Sequence, residues 1–254
     1  MKNSIKIKTI ISLIAIIITS SIVLISCKKD KCKVTESGTC GGSNPSKPIV
    51  DLVVLIDGSG SMFSSANVIS GEVQQALNAA QQECNTDLRV TYLSLESPWI
   101  GTNFISDQRA YLTGLYGSGI SLAADRPYVG YGQEQGANGV EDIAKYFDWR
   151  AGACRAIFYI SDEELDGIFP LNDVANEIAE TNSAISAANS NNVAVSAHYI
   201  KFQNRAAFND TNYLALTTNT NGQLFTSPSY PTAGYYTQNK VFNKIVCNAC
   251  TNCD

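Results

Sequence analysis

Residues 49–62 read IVDLVVLIDGSGSM, and two kinds of chemistry meet in that stretch. From Ile49 to Ile56 the chain is a nearly continuous run of Ile, Val and Leu broken only by Asp51, the pattern of a central strand covered on both faces. At Asp57 the apolar run gives way to Asp57-Gly58-Ser59-Gly60-Ser61. One carboxylate and two hydroxyls stand at alternate positions, with glycines that let the backbone turn them toward a common point. Beyond them Ile69, Val73, Leu77, Ala80 and Cys84 recur at helical spacing on one face. A buried strand, a polar turn and an amphipathic helix open an α/β unit.

The alternation continues downstream. Leu88 to Leu95 alternates as a half-buried strand does, and Gln108 to Leu112 reads as a weak strand inside the Gly- and Tyr-rich stretch 96–133. Gly139 to Phe147 reads as a short helix and Arg155 to Ile160 as a second buried strand. A helix from Asp173 to about Asn189 is expected behind an Asn172 cap, with Val174, Ile178, Ile185 and Ala188 on its inner side. Val193 to Ile200 is a further strand, and Gln223 to Phe225 an edge strand. The expected fold is α/β: a doubly wound, mainly parallel sheet with helices on both faces. Such sheets bind ligands beyond the carboxyl ends of their strands, where the winding direction reverses.

Two strand ends carry the chemistry. Asp57, Ser59 and Ser61 follow the first strand, and Ser161-Asp162-Glu163-Glu164 follows the strand that starts at Arg155. Hard oxygen donors with few carboxylates suit Mg²⁺, or alternatively Mn²⁺ or Ca²⁺. The succession of apolar strand, Asp-x-Ser-x-Ser, helix and a later strand ending in Asp resembles the von Willebrand factor type A domain with its metal-ion-dependent adhesion site, over roughly Pro48 to Val246.

The resemblance implies that Ser59 and Ser61 bind the ion through their hydroxyls, and Asp57 and Asp162 directly or through water. An open position on the ion is then filled by a carboxylate of a protein or peptide partner, with no catalytic turnover. The family also supplies a Thr, or in some branches a Glu, from the loop ahead of the middle helix, and this loop has no Thr. Glu134, five residues before Gly139 and six before Val140, is the counterpart in the Glu-using branch, which Trp149-Arg150 and RAIFYISD also fit. Asn138 is the alternative, and a site without this ligand is a third reading. Cys84 closes the first helix and Cys154 precedes the Arg155 strand, so both fall at the foot of the sheet, away from the ion, and are expected to pair.

The chain of 254 residues has 44% apolar and 16% charged side chains, which excludes a disordered or polytopic membrane chain. Eighteen basic residues stand against twenty-three acidic ones, a net charge of −5. Lys2, Lys6 and Lys8 all precede the uncharged run Thr9 to Ser26, so the remainder is fifteen against twenty-three, or −8. An acidic chain of this kind argues against nucleic-acid binding through phosphates. The lysines and the apolar run form an export signal, with an uncleaved anchor as the alternative.

Leu24-Ile25-Ser26-Cys27 resembles the bacterial lipobox, which implies lipidation of Cys27 as the mature amino terminus and an envelope location, with the outer membrane favoured. Residues 1–26 are then the signal peptide and 27–48 the acylated cysteine and a polar tether. The 21 residues after Cys27 reach about 25 Å as a random coil. The adhesion-type domain spans 49–246 and a Cys-rich tail 247–254. Cys32, Cys40, Cys84, Cys154, Cys247, Cys250 and Cys253 remain, and an exported chain favours disulfides over a zinc site in that tail.

Two other function classes fit parts of the sequence. Ser59, Asp162 and His198 stand in the order of an α/β-hydrolase triad, but a nucleophile elbow needs glycines where Asp57 and Ser61 stand. A metal-independent structural part of an envelope or secretion assembly is the other. The stretch 96–133, with the aromatic residues Trp99, Tyr111, Tyr116, Tyr128 and Tyr131, is expected to lie near the site, where these rings either shape partner specificity or pack over the sheet.

Overall fold

A computed structural model describes residues 47–95, 97–123, 135–165, 174–201 and 206–250. Cys27, the tether up to Ser46, Glu134, Tyr128, Tyr131 and the Asn172 cap lie outside these residues. Residues 46–254 form a compact unit by themselves. Five strands, β1 (Ile49–Asp57), β2 (Asp87–Leu95), β3 (Cys154–Ser161), β4 (Val193–Ile200) and β5 (Leu224–Ser227), form one sheet in the order β2-β1-β3-β4-β5. Every neighbouring pair is parallel. The helices are α1 (Phe63–Cys84), α2 (Gln108–Tyr116), α3 (Gly136–Tyr146), α4 (Val174–Ser190), α5 (Ala206–Asn219), α6 (Tyr235–Gln238) and α7 (Val241–Ala249).

Alternate residues of the central strands fill two cores, as strands covered on both faces must. Val50, Leu52, Val54 and Ile56 of β1 join Ala156, Phe158 and Ile160 of β3 under α1 and α7. Val53 and Leu55 join Ile157 and Tyr159 beneath α3, α4 and α5. The chain therefore has the doubly wound α/β architecture, with its winding reversal between β1 and β3.

Four local expectations are corrected. The weak strand at Gln108 to Leu112 is helix α2: only one bridge, Ser94 to Asp107, continues the sheet there. Asp107 then caps the helix, its side chain accepting from the Ala110 N–H at 2.9 Å. In α4 the buried face is Glu177, Thr181, Ala184 and Ala188, while Val174 and Ile178 are exposed. Ile185 and Ala188 of the expected face do pack on the second core, so the buried face is rotated only in its first turns, where Val174 and Ile178 point outward.

The expected Cys84–Cys154 pair does not form. Cys84 is bonded to Cys247 and Cys154 to Cys250, with Cα separations of 5.2 and 5.1 Å. Cys247 lies in α7 and Cys250 just past its end, less than one turn apart, where the helix crosses both the end of α1 and the start of β3. Two sulfurs of the tail are thus disulfide-bonded and are not zinc ligands. The boundary drawn after Val246 falls inside α7, whose buried residues Val241, Phe242, Ile245 and Val246 belong to the first core.

Candidate metal centre

β1 and β3 end side by side at the winding reversal, with Ile56 opposite Ile160. That register sets Asp57 beside Ser161 and brings Asp162 over the turn after β1. Gly58 is required there by close approach, because a Cβ on it would lie 2.1 Å from the Leu95 carbonyl at the end of β2. Gly60 meets nothing within 4 Å, so the need for glycine rests on Gly58. Ser59 then opens a short 3-10 turn (Gly60–Met62) that leads into α1, and Met62 anchors it, fully buried.

Asp57, Ser59, Ser61 and Asp162 are brought together. The Ser61 hydroxyl donates to Asp162 Oδ1 at 3.0 Å, and Ser59 Oγ lies 2.6 Å from Ser61 Oγ. Since Ser61 has one proton and gives it to Asp162, Ser59 donates to Ser61. Asp57 is fully buried, and its Oδ1 accepts from the Ser59 N–H at 2.6 Å. Its Oδ2 accepts from the Ser161 hydroxyl at 2.6 Å, and Ser161 Oγ in turn accepts from the Glu163 N–H at 2.9 Å.

Burial pushes the Asp57 carboxyl up to about 6, with the Asp162 charge adding to the rise and the bonds from Ser161 and Ser59 opposing it. The described partners of both carboxylates are neutral groups. Two adjacent acids without a described cationic partner favour a bound positive charge. Among the described residues no group of three or more His, Cys, Asp or Glu side chains is set to hold a metal. The donor set here is instead the Asp162 carboxylate and two hydroxyls, with the buried Asp57 carboxylate behind them. With metal–oxygen bonds of about 2.1 Å, neighbouring ligands of an octahedral shell lie about 3 Å apart. The oxygen separations of 2.6 and 3.0 Å along Ser59, Ser61 and Asp162 are near that spacing, and the hard donors fit Mg²⁺ or Mn²⁺.

Three residues at the site escaped the ligand reading. Ser161 adjoins Asp162 and was legible only through the strand register. Tyr230, in the loop after β5, donates its hydroxyl to Asp162 Oδ2 at 2.7 Å. Burial and the neighbouring carboxylate raise its phenol above the ordinary range, so it remains a donor. Trp99, expected near the site, donates its indole N–H to the Asp57 carbonyl at 3.1 Å. Its ring lies 5.8 Å from that of Phe63, and Ile100 beside it is 94% exposed, which makes one rim of the site apolar. Tyr111 and Tyr116 do not reach the site: they pack on Phe147 and Tyr146, and Tyr111 bonds to Asp148. Asn138 is fully buried in α3, its amide donating to Gln135 Oε1 at 3.1 Å.

His198 is also fully buried, and burial pushes it down to about 3, so it is neutral. Its Nδ1 lies 3.0 Å from the Tyr236 hydroxyl and its Nε2 2.9 Å from Ser227 Oγ. Both ring nitrogens are therefore turned to groups other than Ser59 and Asp162, and the Ser59, Asp162, His198 triad is not assembled. Ser227 gives its proton to the Ser229 carbonyl at 2.7 Å, so His198 Nε2 donates to Ser227. That is the wrong tautomer for a base acting on Ser227.

No family model matches the chain. Alpha-amylase 1 of Schwanniomyces occidentalis is 28% identical over 200 residues, which cover 74% of this chain and 35% of the amylase. The chain thus spans about a third of the length of that curated relative. Among solved structures, BatB from Bacteroides thetaiotaomicron, a conserved hypothetical protein, is similar over 77% of this chain and 96% of its own, at 13% identity and a TM-score of 0.43. The human COPII-coat protein Sec24c is similar over 78% of this chain and 32% of its own, at 11% identity and a TM-score of 0.46. An aerotolerance-related membrane protein from Bacteroides fragilis NCTC 9343 gives 15% identity and a TM-score of 0.37, over 77% of this chain and all of its own. Likenesses at this level carry no inference about function.

Proposed function

We propose that the chain is a cell-envelope lipoprotein, anchored through Cys27, whose von Willebrand factor type A-like domain holds Mg²⁺ or Mn²⁺ and through it binds a carboxylate of a protein or peptide partner. The observation that carries this reading is the linked run of oxygens Ser59, Ser61 and Asp162 beside the buried Asp57, at the winding reversal. Held there, the cation supplies a Lewis-acidic centre for a partner's carboxylate.

The chain's own part is to preset that centre. Ser59 and Ser61 offer hydroxyl oxygens, Asp162 offers Oδ1, and Asp57, with both oxygens already bonded to protein donors, contributes charge from behind. Phe63, Trp99 and Ile100 give the partner an apolar ledge beside the carboxylate. Among the described residues no helix is long and apolar enough to cross a membrane. In this reading the lipid on Cys27 supplies the attachment.

Calorimetric titration of Mg²⁺ and Mn²⁺ into the detergent-solubilised chain tests the proposal. Saturable binding to the wild type, lost in Asp57→Ala, is the expected result. A folded wild type that binds neither ion, alone or with an acidic peptide, would favour a metal-free structural role.

A further inference from the structure

We propose that Tyr230 sets the cation preference of this site by confining Asp162 to ligation through one oxygen, an inference that rests on the cation reading above. Tyr230 sits in the loop between β5 and α6, and His198 clamps both ends of that loop. Ser227, the last residue of β5, bonds to Nε2, and Tyr236 in α6 bonds to Nδ1. Within the loop the Ser227 hydroxyl donates to the Ser229 carbonyl, and the Tyr230 ring packs against the first core. The phenol is thereby delivered to Asp162 Oδ2 at 2.7 Å, while Oδ1 turns to Ser61 at 3.0 Å.

This bond decides what shape of coordination shell Asp162 can join. With Oδ2 engaged by the phenol, only Oδ1 faces the site. Asp57 is restricted in the same way, by the Ser59 N–H and the Ser161 hydroxyl. Neither carboxylate can wrap a cation with both oxygens. Mg²⁺ takes six ligands at short distance and is served by single oxygens, whereas Ca²⁺ takes six to eight at longer distance and commonly uses carboxylates in two-oxygen fashion. A site built this way favours Mg²⁺ and Mn²⁺ over Ca²⁺. Tyr230 is a positioning residue: it bonds to Asp162, lies within reach of Ser61, and is assigned no place in the coordination shell itself. The lone His of the chain, read from sequence as a packed or hydrogen-bonded residue, holds the loop that presents it.

The test is calorimetry of Mg²⁺, Mn²⁺ and Ca²⁺ with the detergent-solubilised full chain, as wild type and as Tyr230→Phe, which keeps the ring and removes the hydroxyl. Loss of a hydrogen bond to a ligating carboxylate costs about 10–100-fold in metal affinity. We expect a Mg²⁺ loss of that size with a smaller Ca²⁺ loss, so that the Mg²⁺-to-Ca²⁺ affinity ratio falls. Infrared difference spectra upon Ca²⁺ binding should gain a two-oxygen carboxylate signature in the variant only, which a change in packing does not produce. Equal losses for both ions, or none, with an unchanged carboxylate spectrum would overturn the inference while leaving the cation reading standing. Failure of the wild type to bind any of the three ions would overturn both.

Discussion

Asp51 is the one charged residue in the apolar run of β1, and two arginines enclose it. Arg89 reaches its carboxylate at 3.1 and 2.7 Å, and Arg150 donates to it from both the backbone N–H and Nε at 2.6 Å. Burial alone would raise this carboxyl, but the bonds from Arg89 and Arg150 outweigh it and hold the group below its ordinary value. A carboxyl lowered in the folded state stabilises the fold fully above its unfolded value of about 4, and the contribution is lost as pH falls through the folded value. Asp51→Asn should therefore flatten the acid side of the stability–pH curve measured by denaturant unfolding. At pH 7 it should cost about 2 kcal/mol, less than the roughly 3–5 kcal/mol of a fully buried pair. The reason is that the arginines are 30% and 29% exposed and partly screened by water. At this scale the sequence spoke clearly wherever chemistry is local. Asp57, Ser59 and Ser61 sit in one turn, and Asp162 ends a recognisable strand. Tyr230 was silent, because 68 residues separate it from Asp162 and only the sheet order joins them.

Elements were legible where periodicity had one reading. The strand from Val193 to Ile200 runs as expected, the strands beginning near Ile49 and Leu88 shift by one residue at one end, and the strand beginning near Arg155 is longer by one residue at each end. Helix α2 was misread because its five-residue start looks like a strand until the Asp107 cap is placed. Helix α4 was read correctly at Ile185 and Ala188 but not in its first turns, where Val174 and Ile178 are exposed and Glu177 is buried in their place. The cysteines pair differently from expectation for a related reason: the position of α7 follows from the packed core, not from spacing. Peptide mapping of the unreduced protein should recover Cys84–Cys247 and Cys154–Cys250 and no Cys84–Cys154 species. Replacing Cys247 or Cys250 by Ser should each cost about 2–4 kcal/mol of stability, since each bond closes a long loop, 163 and 96 residues in separation.

At the scale of the whole molecule, chemistry and reinforcement are segregated to opposite ends of one sheet. Both disulfides and the Asp51 network lie at the amino ends of the strands, while Asp57, Ser59, Ser61, Asp162 and Tyr230 lie at the carboxyl ends. Such a division keeps the site's turns tied to rigid strands without placing a covalent link among the ligands. In the proposed reading a bridging cation lets an acidic domain meet a partner's carboxylate, which ties that function to one position in space. Diffraction from crystals soaked in Mn²⁺, recorded at the manganese absorption edge, locates that position directly. The account predicts one strong anomalous peak at about 2.1–2.2 Å from Ser59 Oγ and Ser61 Oγ, with Asp162 contributing a single oxygen. Manganese found only at other acidic residues, with the Ser59, Ser61 and Asp162 hydrogen bonds intact, would contradict it.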